Sequence, residues 1–214
     1  MKKTTILFDL DGTLIDSTQA IILSFNDTFD TFNFQKPTQE EICKYIGYTL
    51  EDMFTFLKIE KRYINHCILE YKKNYRKRSL LMTKLLPDAK EAVLLAHSFA
   101  KLGIVTTKTG IYSKEILEHL GIMKYFDVLI GREQVLNPKP HKEPIEKALS
   151  QMNAIAKEAW MIGDTKLDLL SAKNANINSI GVLCGYAKED ELKKYSKHIE
   201  SNSLNAVQYI INNF

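Results

Sequence analysis

From residue 87 onward, stretches with helical periodicity alternate with short β-branched, apolar runs, and few folds accommodate that alternation. The pattern predicts helices at 89–97, 113–120, 143–152, 167–175 and 204–211. Strands are expected within 100–107 and at 126–130, 159–162 and 179–183. One further strand, 4–8, stands near the amino end and runs straight into the tight turn Asp-Leu-Asp-Gly-Thr. Strands separated by helices argue for a parallel sheet covered on both faces, an α/β, Rossmann-like doubly wound core.

Between that first strand and the alternating part, residues 17–79 read as helix only. Ile21, Ile22, Phe25, Phe29 and Phe32 share one face at helical spacing, which is core packing rather than a cofactor box. Thr38 with Glu41 three residues on forms a capping box at the head of a short helix that Gly47 ends. Two more helices are expected at 50–57 and 63–75, the latter with His66 and Cys67 in packing roles. The chain therefore divides into an α/β core domain of residues 1–16 and 80–214 and a helical cap domain of residues 17–79. An insertion at the carboxyl end of a strand sits where open α/β sheets bind ligands, so it is a candidate lid.

Composition narrows the function classes. The 214 residues are 45% hydrophobic and 26% charged, which excludes a disordered chain. A net charge of +3 leaves no whole-chain footprint for nucleic acid or a membrane surface, and the lysines and arginines of 61–79 read as a solvated helix face. The three cysteines, Cys43, Cys67 and Cys184, form no CxxC or Cys/His cluster, so neither a disulfide framework nor a zinc site is indicated. They suit a reduced, cytoplasmic protein. After Met1-Lys2-Lys3 the apolar run 6–8 is too short for a signal peptide or a membrane span.

The chemistry lies at the strand ends. Asp9 and Asp11 follow the first strand; Thr106, Thr107 and Lys108 follow the second; Lys139 lies in the Asn-Pro-Lys-Pro loop after 126–130. Asp164 follows Trp-Met-Ile-Gly, with Asp168 four residues later. In a parallel sheet these ends share one edge, so the groups converge. Carboxylates without His or Cys form a hard oxygen site suited to Mg²⁺. Lysine and threonine donors beside such a site suit phosphoryl transfer, where positioning and charge neutralisation supply most of the catalysis.

These residues resemble the four motifs of the haloacid dehalogenase-like hydrolases. Asp9-Leu-Asp-Gly-Thr-Leu is similar to the first motif, Thr106 to the second, Lys139-Pro140 to the third, and Gly163-Asp164 with Asp168 to the fourth. Order and spacing agree over nearly the whole chain, and the helical insertion resembles the type 1 cap of phosphoglycolate phosphatases and β-phosphoglucomutases. The resemblance implies Asp9 as nucleophile, forming an aspartyl phosphate, and Asp11 as general acid and then general base. It implies Mg²⁺ held by Asp9, the Asp11 backbone carbonyl and Asp164. Thr106 would hydrogen-bond the phosphoryl oxygens, with Thr107 beside it in the phosphate-binding set, and Lys139 would neutralise their charge. Asp168 would orient Lys139 or a metal-bound water, and Gly12 would let the backbone approach phosphate closely. Thr107 stands where many relatives have Asn, and Lys142 where they often repeat Pro.

The expected function is a Mg²⁺-dependent phosphatase acting on a small phosphorylated metabolite in the cytoplasm, without a nucleic-acid or membrane partner. A mutase is the alternative. Mutase relatives typically carry a cap-hinge His shortly after the first motif, and residues 16–25 hold none. A non-catalytic phosphate-binding protein on the same scaffold fits less well, because all four motifs are intact. The cap loop Gly47-Tyr48-Thr49 is expected to reach the site and choose among phosphoglycolate, a nucleoside monophosphate, pyrophosphate and a sugar phosphate.

Overall fold

The structure, a computed structural model, describes residues 4–213; the expectation for Met1–Lys3 lies outside them. In chain order the elements are β1 (Thr5–Phe8), β2 (Ile15–Asp16), α1 (Thr18–Thr31), α2 (Gln39–Cys43), α3 (Leu50–Phe56), α4 (Lys61–Met82), β3 (Lys84–Leu85), α5 (Ala89–Phe99) and β4 (Lys101–Val105). There follow α6 (Gly110–His119), β5 (Val128–Ile130), α7 (Glu143–Gln151), β6 (Ala159–Gly163), α8 (Lys166–Asn174), β7 (Asn178–Val182), α9 (Glu189–Leu192), β8 (Ile199–Glu200) and α10 (Ser203–Asn213).

Six strands form one parallel sheet in the order β5-β4-β1-β6-β7-β8. The chain builds outward from β1 through β4 to β5, then crosses back to lay β6 on the other side of β1. The strand direction of winding reverses at β1, and the crevice beyond its carboxyl end is where such sheets bind ligands. β1 is buried at every position because it is central and covered on both faces. Its side chains alternate: Ile6 and Phe8 pack with Leu102, Ile104, α5 and α10, while Leu7 packs with Val105, Met161 and α7 on the opposite face.

The segment between β2 and β3 is helical, as its periodicity predicts. Ile21, Ile22, Phe25 and Phe29 are the buried stripe of α1; Phe32 lies just past its end and is half-buried. Phe25 packs on Phe54 of α3 and Tyr71 of α4, with ring centroids 4.9 and 4.8 Å apart. The capping box forms at Thr38: its hydroxyl accepts from the Glu41 N–H while the Glu41 carboxylate accepts from the Thr38 N–H. That helix ends at Cys43, with Gly47 in the turn beyond at φ +102°.

Several elements differ from the sequence reading. α4 continues seven residues past 75 to Met82; Arg-Lys-Arg-Ser-Leu-Leu-Met loses the apolar stripe but consists mostly of strong helix formers. His66 points to solvent, and only Cys67 packs. β2 and β3 are two residues each and pair antiparallel, Ile15 with Leu85 and Asp16 with Lys84. β8, also two residues, adds an edge to the sheet. No helix among the described residues is long and apolar enough to cross a membrane.

Candidate active site

The carboxyl edge of the sheet brings together side chains from four loops. Asp9 leaves β1, its N–H donating to the Ile162 carbonyl of β6 at 2.9 Å, so the two strands fix its start. Thr106 is similarly tied, through its N–H to the Ile130 carbonyl at 3.0 Å. Asp164 follows β6, and Lys139 arrives from the loop between β5 and α7.

Lys139 is the hub. Its buried Nζ donates to Asp9 Oδ1 at 2.7 Å, to Asp168 Oδ1 at 2.5 Å and to the Val105 carbonyl at 2.9 Å. Three donors thus meet three acceptors. Asp168 has its other oxygen engaged: it accepts from the Thr165 N–H at 3.0 Å and the Thr165 hydroxyl at 2.7 Å, capping α8. A helix cap thereby aims a carboxylate at a lysine, and Asp168 is wholly buried rather than a solvated first-turn acid.

Asp164 is also wholly buried. Its oxygens accept from the Thr13 hydroxyl at 3.1 Å and the Tyr186 N–H at 2.8 Å. Two glycines make room for it. Gly12, at φ +82°, and Gly185 would each drive a Cβ into the Asp164 carboxylate.

Electrostatics follow from this dryness. Burial pushes the Asp9 carboxyl up to about 7, against the pull of Lys139, and Asp168 and Asp11 push the same way. Burial and then the neighbouring Asp9 and Asp168 hold Asp164 well above the usual carboxylate range. For Lys139 burial works against the charge, but Asp168 and Asp9 outweigh it and raise the ammonium above its ordinary value. Oxygens of Asp9, Asp164 and Asp168 lie within 4.8 Å of one another. With every group ionised, as metal binding would require, the four buried carboxylates Asp9, Asp11, Asp164 and Asp168 outnumber the two ammonium groups among them, Lys139 and Lys108. The excess is two negative charges, that of one divalent cation, and the donor set is all oxygen. The residues fit a hard divalent metal.

Lys108 has no role in the sequence reading beyond its position after β4. Its Nζ lies 3.0 Å from Asp11 Oδ2, with each side chain only 10% exposed, and donates to the Tyr75 hydroxyl at 3.0 Å. Burial opposes its charge, yet Asp11 and the tyrosines Tyr75 and Tyr71 more than compensate. Ser17 donates to the other oxygen of Asp11. Tyr186 reaches from the β7–α9 loop to Thr18, their hydroxyls 2.9 Å apart. Ser17, Tyr75 and Tyr186 are legible only from the fold; Lys108, two residues past Thr106, carries a signal in its spacing.

A cavity of about 70 Å³ opens beside Asp11, lined among others by Gly47, Tyr48, Tyr75, Lys108 and Arg132. Gly47 and Tyr48 thus share a cavity wall with Asp11. Thr49 is not on its wall: its hydroxyl accepts from the Asp52 N–H at 3.2 Å and donates to Asp52 Oδ2 at 2.7 Å, capping α3. Thr107 lines the cavity, and its hydroxyl donates to the Gly47 carbonyl at 2.8 Å. The Thr106 hydroxyl accepts from the Lys108 N–H at 3.2 Å.

A model of the haloacid dehalogenase-like hydrolases matches residues 6–182, and the chain belongs to that family of enzymes. It is 32% identical over 204 residues to a phosphoglycolate phosphatase of Colwellia psychrerythraea, covering 91% of this chain and 90% of that protein. With the pyrophosphatase PpaX of Halalkalibacterium halodurans it shares 33% identity over 196 residues, again 91% and 90% of the two chains. A haloacid dehalogenase-like family hydrolase from Streptococcus pneumoniae superimposes with a TM-score of 0.87 at 28% identity, covering 97% of this chain and 98% of that one.

Proposed function

We propose that this protein is a Mg²⁺-dependent phosphatase that hydrolyses a small phosphorylated metabolite in the cytoplasm through an aspartyl phosphate on Asp9. The observation that carries the reading is the unbalanced, dry carboxylate cluster around Lys139, at the sheet edge where a phosphoryl group can lie against both charges. The similarity to a phosphoglycolate phosphatase and a pyrophosphatase supports a small phosphorylated substrate.

In this reading Asp9 and Asp164 hold Mg²⁺ with the Asp11 backbone carbonyl. The ion supplies charge neutralisation for the transferring phosphoryl group. An Asp9 oxygen attacks phosphorus, and the bond from phosphorus to the leaving oxygen breaks as Asp11 gives that oxygen a proton. Asp11 then takes a proton from water, whose oxygen attacks the same phosphorus and releases Asp9 and inorganic phosphate. Lys139 and Thr106 donate to the phosphoryl oxygens, and Gly12 gives the backbone access to them. Thr107 stands beside them and joins the Gly47 turn to β4. Asp168 holds Lys139 in place. Residues 17–79 act as the cap over a core of 1–16 and 80–214, with Gly47 and Tyr48 against the leaving group.

Hydrolysis of p-nitrophenyl phosphate tests this directly. Activity should require Mg²⁺ and vanish in EDTA, and rapid acid quench should trap about 80 Da of added mass on the peptide holding Asp9. Full turnover after exhaustive chelation would overturn the metal, and consistent absence of the adduct would favour direct attack by water.

A further inference from the structure

The cavity beside Asp11 continues into a second, more open depression. Lys72 of α4 and Tyr112 of α6 line both. The depression, of about 470 Å³, is walled by Leu69, Lys72, Lys73, Arg76, Lys77 and Tyr112, four cations without an acid. It touches none of the buried carboxylates, so the cavity joins the catalytic edge of the sheet to a cationic mouth. Between them the wall is aliphatic and aromatic, with Ile46, Met53, Ile68 and Tyr71 among its members. Charges on the cavity wall balance, Lys108 against Asp11 and Arg132 against Glu51, except for Lys72. No carboxylate among the described residues pairs with Lys72. Glu70 pairs with Lys73 at 3.1 Å and Glu115 lies 3.8 Å from Arg76, but exposed pairs of this kind are weak and leave the local field positive. Helix stability does not explain the cluster, because Lys72 with Arg76 and Lys73 with Lys77 are like-charge neighbours four residues apart.

We propose that this mouth binds a second anionic group of the substrate, a phosphate or a carboxylate borne on the leaving group, with Lys72 as the specificity-determining residue. This rests on the phosphatase reading, which places the transferred phosphoryl group at Lys139. An anion stranded in the apolar middle of the cavity would lose its hydration without gaining a partner. The two charges of the substrate therefore belong at the two ends, and an uncharged spacer, a sugar or an alkyl chain, lies along the wall between them. A substrate with adjacent charges, such as pyrophosphate, leaves the outer end empty. Lys72 stands where cavity and mouth meet and has no acid to compete for it, while Lys73, Arg76 and Lys77 strengthen the field around it.

The test measures kcat/KM in Mg²⁺ for a series of terminal alkanediol bisphosphates, from ethane to octane, each against its ω-hydroxyalkyl monophosphate. Beyond the statistical doubling, the bisphosphate should be preferred about tenfold or more once the chain is long enough to reach Lys72, the size of one charge-assisted hydrogen bond. The preference should shrink with added salt, because the mouth is open to solvent. Replacing the distal phosphate by a carboxylate, chain length held, identifies the anion by whichever is turned over faster. Lys72→Met should remove the preference and leave the monophosphates and p-nitrophenyl phosphate unchanged, and Lys72→Arg should keep most of it. Arg76→Gln with Lys77→Gln should lower it part-way, and that pair carries the test if Lys72→Met does not fold. No preference, a preference of equal size at every chain length, or one that survives these substitutions would overturn the proposal. Turnover of p-nitrophenyl phosphate would in each of those cases leave the phosphatase reading standing. A wild-type protein inert towards every ester would overturn that reading and this inference with it.

Discussion

Metal binding by this cluster should weaken as pH falls, with a slope set by Asp9. Burial raises its carboxyl to about 7 in the metal-free protein, and a metal must displace that proton to bind. Between about pH 8 and pH 6 the ionised fraction of such a group drops roughly tenfold, and Mg²⁺ affinity should fall by a similar factor. Asp164, raised by the same burial, adds to the slope. Folding stability runs the other way without metal. A carboxyl whose folded value lies above its unfolded 3.8 binds more protons folded than unfolded, so stability falls as pH rises from about 4 to about 7. Mg²⁺ should remove that loss by stabilising the ionised form. Isothermal titration with Mg²⁺ at both pH values, with thermal melts in EDTA, measures both effects. Asp9→Asn, with no proton to release, should bind more weakly and with a shallower pH slope. Equal Mg²⁺ affinity of the wild type at the two pH values would refute the reasoning.

Three further outcomes are expected. Asp9→Asn should abolish the phosphoenzyme, whereas Asp11→Asn should let the adduct accumulate from p-nitrophenyl phosphate, as acid-quench mass spectrometry would show. Tyr48→Ala should reorder a panel of phosphorylated metabolites by kcat/KM while sparing the smallest ester; a uniform drop would make Tyr48 structural. Gly185→Ala should displace the Asp164 carboxylate, weakening Mg²⁺ binding by tenfold or more, on the order expected when a ligand's support is lost; unchanged affinity would contradict the packing described.

The fold was legible where one force dominates. β1 is a continuous apolar run because both its faces are covered, and α1 has a single buried stripe, so periodicity exposes both. Motif residues at the sheet edge were legible because chain order in a parallel sheet fixes which loops meet. What escaped has no local signature. β2, β3 and β8 are two-residue strands whose pairing depends on partners far away in sequence, and α4 outlasts its apolar stripe on helix propensity. The place of Lys108 at a strand end is legible, but its pairing with Asp11 and Tyr75, and that of Ser17 with Asp11, is a tertiary fact. Thr49 illustrates the reverse, since its place in a loop suggests contact with the site while its side chain caps a helix.

The short antiparallel pairing of β2 with β3 has an evolutionary consequence. Ile15 and Leu85 lie side by side, so the chain leaves the sheet and returns to it at almost one point, and the intervening helices hang from a closed neck. Lengthening or replacing that stretch does not pull the flanking strands apart, and the entropic cost of a longer loop grows only slowly with its length. The neck makes the insertion an exchangeable cassette. On the proposed reading, mutation within it would explore new leaving groups while Asp9, Lys139 and Asp164 keep their geometry.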